Sequence, residues 1–468
     1  MTTHVSASHS ARRMALRHVL TGLAVASVVT VSVLTGATAA NAADYPSVPT
    51  NTLAGPSTGL VGPAMITLDS AGGTYVSILT DGNILTFAPG ATGDAAPVNT
   101  IVGGLNLVGM ARDAVGNIYV SDLGAGGLGA GAIRVFAPDA TGAATPLQTI
   151  QGPNTGLIGT LGIAVSPDGV IYVSNFSDST ITVYAAGATG DVAPIRTIVG
   201  ANTGLGAPGG IALDLAGNLY VSNNSLASIT VYAPGADGDA SPTRTIVGPN
   251  TGRAPLGGIT VDPAGAIYAA NGGNNSVTVY APGSDGDATP TNIITGPDSG
   301  LNYPIGIAVD AAGTIHVGNL QGGSILEFAP SPTVTAVSPV SGQTSGGGTL
   351  TVSGTGFIAG ATLSIGGIAA DSVVVVSATQ ITATIPAHDP GAVDVSVTTV
   401  GGTVVAAGAY TYVLAPVVTP VAPVVSAASA VTTVLPATGV SPGAFAFGGL
   451  FLLLTGLGAV LFTRRRLA

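Results

Sequence analysis

Gly210-Ile211-Ala212-Leu213-Asp214, then Gly217-Asn218-Leu219-Tyr220-Val221-Ser222-Asn223, then Ile229-Thr230-Val231-Tyr232-Ala233-Pro234-Gly235, and finally Thr245-Ile246-Val247-Gly248 make up one unit of a pattern that recurs along the chain. The closing glycines fall at Gly55, Gly103, Gly152, Gly200, Gly248 and Gly296, a spacing of 48 or 49 residues. Each unit holds four short runs rich in Val, Ile, Thr and Tyr, punctuated by Gly, Pro, Asn and Asp. Branched and aromatic side chains suit a pleated, half-buried surface, and the punctuating residues supply turns. Four strands per unit at this period predict the blades of a β-propeller.

The ends of the repeat set the number of blades. The last unit begins at Gly296 and stops after its third run, Ser324-Ile325-Leu326-Glu327-Phe328. Its missing fourth run lies at the other end, where Asn51-Thr52-Leu53-Ala54-Gly55 matches Asn99-Thr100-Ile101-Val102-Gly103 and Arg196-Thr197-Ile198-Val199-Gly200. Six blades are therefore expected over residues 50–330, with residues 50–55 completing the last one. Such closure leaves no exposed strand edges to aggregate.

The segments Gly306-Ile307-Ala308-Val309-Asp310, Gly116-Asn117-Ile118-Tyr119-Val120 and Asn275-Ser276-Val277-Thr278-Val279-Tyr280 give this repeat a wording that resembles NHL-type propellers. The resemblance implies architecture only, because propellers of this broad kind include ligand-binding scaffolds, lyases and hydrolases. A second resemblance covers residues 332–413. Val337-Ser338-Pro339, the run from Ser345 to Phe357, Ile365-Gly366-Gly367, Thr384-Ile385-Pro386 and Tyr410-Thr411-Tyr412 look like an IPT/TIG domain. That implies an immunoglobulin-like β-sandwich, a module that serves as spacer or adhesive stalk in bacterial surface proteins. The expected fold class is all-β: a six-bladed propeller followed by this sandwich, between an N-terminal signal peptide and a C-terminal transmembrane helix.

Both termini point to export. Arg12, Arg13 and Arg17 precede an apolar run from Val19 to Leu34 and small residues ending Ala40-Asn41-Ala42, the layout of a signal peptide over residues 1–43 with cleavage after Ala42 or Ala43. Residues 414–434 are a Pro, Val, Ala and Thr linker, semi-extended because of its prolines. Leu435-Pro436-Ala437-Thr438-Gly439 follows, then an apolar segment over 444–462 and a basic tail over 463–468 with Arg464, Arg465 and Arg466. This order resembles the LPXTG cell-wall sorting signal of Gram-positive bacteria. It implies that a sortase cuts between Thr438 and Gly439 and joins Thr438 to peptidoglycan. The apolar segment would hold the chain in the membrane only until sorting, with the arginines retained on the cytoplasmic side.

Composition narrows the function further. The stretch from Asp44 to Thr438 keeps all 22 acidic residues but only Arg112, Arg134, Arg196, Arg244 and Arg253, and the chain has no lysine. Such a surface repels phosphate backbones, so nucleic acid is not an expected partner. The absence of cysteine excludes disulfides, thiol catalysis and cysteine-ligated metals.

Catalytic side chains are scarce. His4, His9 and His18 belong to the signal peptide and His388 to the sandwich, while His316 takes the slot held by Tyr75, Tyr119, Tyr172, Tyr220 and Tyr268 in the other blades. His316 reads as a packing substitution, and no Ser-His-Asp set, HExxH or phosphate loop is visible. An enzyme is therefore not expected.

Two polar sets are candidate binding features. Asp122, Asn175, Asn223, Asn224, Asn271, Asn274, Asn275 and Asn319 follow the second strands and share one face of the ring. They form a candidate ligand face for sugar hydroxyls or a protein, or else cap their own turns. Asp237, Asp239, Asp285 and Asp287, in loops joining third and fourth strands, are candidate calcium ligands or ordinary Asp-Gly hairpin residues. No other cofactor is expected. The reading is a wall-anchored surface protein that binds or adheres, with an extracellular lyase or hydrolase and a purely structural coat protein as alternatives.

Overall fold

The computed structural model describes residues 44–103, 106–124, 130–255 and 257–416. The signal peptide, the linker beyond residue 416, the sorting motif and the apolar segment with its arginines lie outside these residues. Among the described residues no helix is long and apolar enough to cross a membrane. The chain divides into two units at Ala415/Pro416, and the first holds both the ring and the sandwich.

Blade 4 shows how the repeat folds. Its strands Pro208–Leu213, Leu219–Asn223, Ser228–Tyr232 and Arg244–Ile246 pair in sequence order, each antiparallel to the last. The first turn is built by Asp214, whose Oδ1 accepts the backbone N–H of Ala216 and Asn218 at 3.0 and 2.8 Å, while Gly217 supplies a positive φ of 82°. Oδ2 accepts Asn218 Nδ2 and the Tyr220 hydroxyl at 2.8 and 3.2 Å. Burial opposes ionisation of this carboxyl, but the donors outweigh it and hold its pKa below the usual range.

The second and third strands are buried along their whole length, because each blade is covered on both faces by its neighbours. Alternation is lost there, and each fully buried Val or Ile contributes about 1.5–3 kcal/mol relative to exposure. Tyr184, Tyr232 and Tyr280 are wholly buried at the ends of third strands and donate to the carbonyls of Thr155, Thr203 and Thr251 at 2.6, 2.5 and 2.5 Å.

Five further four-stranded sheets repeat this plan: blade 1 over 63–101, blade 2 over 107–150, blade 3 over 160–198, blade 5 over 259–294, and blade 6 over 304–328 completed by Asn51–Ala54. Thr52 pairs with Leu326 and Leu53 with Ile325, so the N-terminal strand closes the last blade. Innermost strands touch from blade to blade, and that of blade 6 (Pro304–Val309) touches that of blade 1 (Pro63–Leu68), completing the ring.

Neighbouring blades are also clasped at the rim. Gly93, Gly142, Gly190, Gly238 and Gly286 each form a parallel bridge to the outer strand of the preceding blade. The seam between blades 5 and 6 is closed differently, by the segment before the ring. Asn292 donates to Asp44 at 2.7 Å, and Tyr45 is buried against Tyr268 while its hydroxyl donates to the Gly313 carbonyl at 2.7 Å.

The sandwich packs a four-stranded sheet (Thr333–Ser338, Thr349–Thr355, Gln380–Thr384, Asp371–Ser377) on a five-stranded one dominated by Gly391–Thr399 and Gly402–Val413. Leu350, Val352, Phe357, Leu363, Ile381, Val397, Tyr410 and Tyr412 fill its core. Ser331 joins the two domains, donating its N–H to the Asp44 carbonyl at 2.7 Å and its hydroxyl to the Gly401 carbonyl at 3.2 Å.

Candidate functional site

The amide set expected to form a ligand face is turned inward. Asn175, Asn223, Asn271 and Asn319 are at most 1% exposed. In each, Oδ1 accepts a backbone N–H from the loop preceding its own blade: Ile158 at 3.2 Å, Gly206 at 3.1 Å, Ala254 at 3.3 Å and Asn302 at 2.6 Å. Nδ2 donates to hydroxyls of the third strand, Thr182, Thr230 and Thr278 at 3.1, 3.0 and 3.1 Å in blades 3 to 5 and Ser324 at 3.1 Å in blade 6. These side chains therefore tie the loop to the blade and offer no free amide to a sugar. They act through partners 17 residues away, not by capping their own turn.

The rest of that set is scattered. Asp122 is buried, pairs with Arg134 at 3.1 Å and accepts the Gly124 N–H at 3.0 Å. Asn274 and Asn275 are exposed; Asn275 has a φ of 54° and accepts the Tyr303 N–H at 2.7 Å. Asn224 is 6% exposed and lines the central cavity.

The four candidate calcium carboxylates are spread over two loops and engaged with the neighbouring blade. Asp239 accepts the N–H and Nδ2 of Asn202 at 2.8 and 2.7 Å, and Asp287 does the same with Asn250 at 2.8 and 2.8 Å. Asp237 and Asp285 accept the N–H groups of Thr197 and Thr245 at 2.9 and 2.8 Å. Among the described residues no three His, Asp or Glu side chains converge in a metal-holding arrangement.

His316 is 6% exposed, with Nε2 3.6 Å from Asp310 and Nδ1 3.4 Å from Glu327. Burial alone would lower its pKa, but the two carboxylates prevail and raise it to about 9. The tyrosines of the same slot show the alternative chemistry. Tyr119, Tyr220 and Tyr268 donate to Asp113, Asp214 and Asp262 at 3.2, 3.2 and 3.1 Å. A cation thus replaces a phenol, and Glu327 stands where Val135, Val183, Val231 and Val279 pair in other blades.

The feature that sequence reading missed is the centre of the ring. A cavity of about 200 Å³, almost wholly apolar, opens there and is lined by Met65, Val108, Leu161, Gly209, Gly257 and Ile305 from the six innermost segments. The ring packs tightly just below. A Cβ added to Gly109, Gly162 or Gly306 would lie 2.0, 2.4 or 2.2 Å from a carbonyl of the next blade. Serines also bridge neighbouring blades: Ser77, Ser121 and Ser174 donate across the seams of blades 1 and 2, 2 and 3, and 3 and 4 to the carbonyls of Val108, Leu161 and Gly209 at 3.0, 2.5 and 2.6 Å. At the seam of blades 4 and 5, Ser222 accepts a hydrogen bond from Arg253 at 2.7 Å. The signal for this seam lay in the sequence, but only in how one repeat differs from the others.

Comparison with known proteins places residues 332–412 in the IPT/TIG domain model. No curated protein matches the chain. Among solved structures, the WD40 β-propeller domain of Doa1 is 15% identical with a TM-score of 0.42, covering 60% of this chain and 96% of that one. Virginiamycin B lyase from Staphylococcus aureus is 16% identical with a TM-score of 0.38, covering 59% and 97%. A Trichoderma reesei Carbohydrate-Active Enzymes Family AA12 protein is 16% identical with a TM-score of 0.43, covering 60% and 98%. The blade count here rests on strand pairing and not on these similarities.

Proposed function

We propose that this chain is a surface-displayed binding protein of a Gram-positive bacterium, in which an NHL-type ring and an IPT/TIG stalk are held on the cell wall by sortase. The observation that carries this reading is the order of segments in the sequence. A signal peptide leads, and Leu435-Pro436-Ala437-Thr438-Gly439, an apolar segment and three arginines close the chain. In the ring, His316 is enclosed between Asp310 and Glu327, and Asn175, Asn223, Asn271 and Asn319 are buried and hydrogen-bonded within the blades. Ligands would then meet exposed loop tips and the central cavity, not an amide ring.

A binding screen of residues 44–416 against glycan, peptidoglycan and matrix-protein arrays, run with calcium and with EDTA, tests this reading. We expect a specific ligand whose capture is insensitive to EDTA. A blank across all arrays would favour the structural coat, and conversion of an arrayed glycan would favour an enzyme.

A further inference from the structure

Among the described residues five tyrosines are wholly buried: Tyr184, Tyr232, Tyr280, Tyr410 and Tyr412. Four of them donate to a backbone carbonyl, including Tyr412 of the sandwich, whose hydroxyl reaches the Pro386 carbonyl at 2.8 Å. Tyr410 differs. Its hydroxyl is buried and has no hydrogen-bond partner among the described residues. A buried donor left unpaired is costly, and a phenylalanine would fill the same place in the core without that cost.

Only a glycine fits over this hydroxyl. Gly342 lies in the short strand Ser341–Gln343 at the edge of the five-stranded sheet, and a Cβ there would collide with the Tyr410 oxygen. Glycine weakens a strand, and inside one it often marks a place where another group approaches closely. A cavity of about 230 Å³ opens here, bordered by Ser341, Gly342, Gly346, Gly348, Ile385 and Tyr410. Among the described residues none that lines it is charged. Val340 accepts the Thr411 N–H at 2.9 Å and Thr344 donates to Val413 at 3.1 Å. In this parallel pair Gly342 therefore faces the strand Gly402–Val413, and the N–H and C=O of Ser341 face away from it. Gly346 donates to the Gln343 carbonyl at 3.0 Å and closes the far end of the edge. An added peptide strand has no room to run past that turn, so the free backbone groups suit a compact ligand.

We propose that this cavity in the sandwich binds one neutral, hydroxyl-rich ring, a monosaccharide unit, with a sugar oxygen accepting the Tyr410 hydroxyl. A sugar hydroxyl both donates and accepts, so one ring can meet a phenol, a peptide N–H and a peptide C=O together. Pro339 and Ile385 border the same cavity and give apolar contact to the C–H faces of the ring. A cavity of about 150 Å³ accepts benzene, so about 230 Å³ has space for one six-membered ring with its substituents. An anionic sugar finds no cation here, in a chain of net charge −11. The site is independent of the ring and of wall attachment, and its failure would leave the display reading untouched.

Methyl glucoside, methyl galactoside, methyl mannoside and N-acetylglucosamine are suitable probes, with glucuronate as the charged counterpart. Each is titrated by ligand-observed NMR into residues 44–416, a closed ring with a complete sandwich. At least one neutral sugar is expected to bind saturably, and glucuronate at least fivefold more weakly. Tyr410→Phe is expected to melt no lower than wild type, because no hydrogen bond is lost, and to weaken the bound sugar at least tenfold. The proposal fails if none of the four neutral sugars binds, if glucuronate binds as tightly, or if Tyr410→Phe keeps full affinity. It also fails if Tyr410→Phe melts clearly below wild type, since the hydroxyl would then be engaged within the free protein.

Discussion

His316 shows what one substitution in a repeated slot can do. Its pKa is raised from 6.5 to about 9 in the folded protein, so the stability it contributes is complete below pH 6.5 and is lost as pH rises through 9. Asp310 and Glu327 lie below their ordinary values of 3.8 and 4.5, although burial opposes this. Their contribution is present above those values and lost on acidification. Thermal melts should therefore show a plateau between about pH 4.5 and 6.5 and a decline toward pH 9. His316→Gln should melt lower than wild type on the plateau and lose the alkaline decline. Equal slopes in the two proteins would show that this triad does not govern the pH dependence. The sequence revealed that His316 replaces a tyrosine. It could not reveal that the third-strand partner, Glu327, faces it across the pair Glu327–His316. The buried amides were misjudged for a similar reason: Asn223 looks like a turn residue by neighbours alone, and its partner Gly206 lies across a loop.

At the scale of elements, the third-to-fourth-strand loops work as clasps between blades. Asp239 holds Asn202 through two hydrogen bonds at an exposed position, and Asp287 holds Asn250 alike. Asp239→Ala should destabilise the ring by about 1 kcal/mol, read by chemical denaturation. No measurable loss would mean that the parallel bridge from Gly238 to Ile198 suffices. Because these carboxylates are already engaged, calcium should leave the melting temperature of residues 44–416 unchanged relative to EDTA. A calcium-dependent rise would restore the metal reading. Strand order and blade register were legible in the 48-residue period, since period and turn chemistry act locally. The clasps were not, because they join residues 37 positions apart, a loop of one blade to the connection that precedes it.

For the whole molecule, ring closure depends on residues 44–54. Asn51–Ala54 completes blade 6, and Tyr45 fills the seam that lacks a rim loop. Tyr45→Ala should cost about 3 kcal/mol, as expected when a buried aromatic is removed, and should loosen blades 5 and 6 in hydrogen exchange before the rest. Uniform loss of protection would argue against a local seam. The strand was legible in the sequence because it copies the repeat, whereas Tyr45 has no counterpart in any other unit. The domain order was equally plain from composition and motif, and the resemblance at residues 332–412 agrees with the sandwich.

Display on the wall is the central functional claim, and mass spectrometry of the chain's C-terminal peptide tests it most directly. Cells are fractionated, the wall is digested with a muramidase, and the terminal peptide is read from each fraction. The account predicts a wall-derived peptide that ends at Thr438 and carries a peptidoglycan remnant. A peptide that runs on past Gly439 into the apolar segment, recovered only from the membrane fraction, would contradict it.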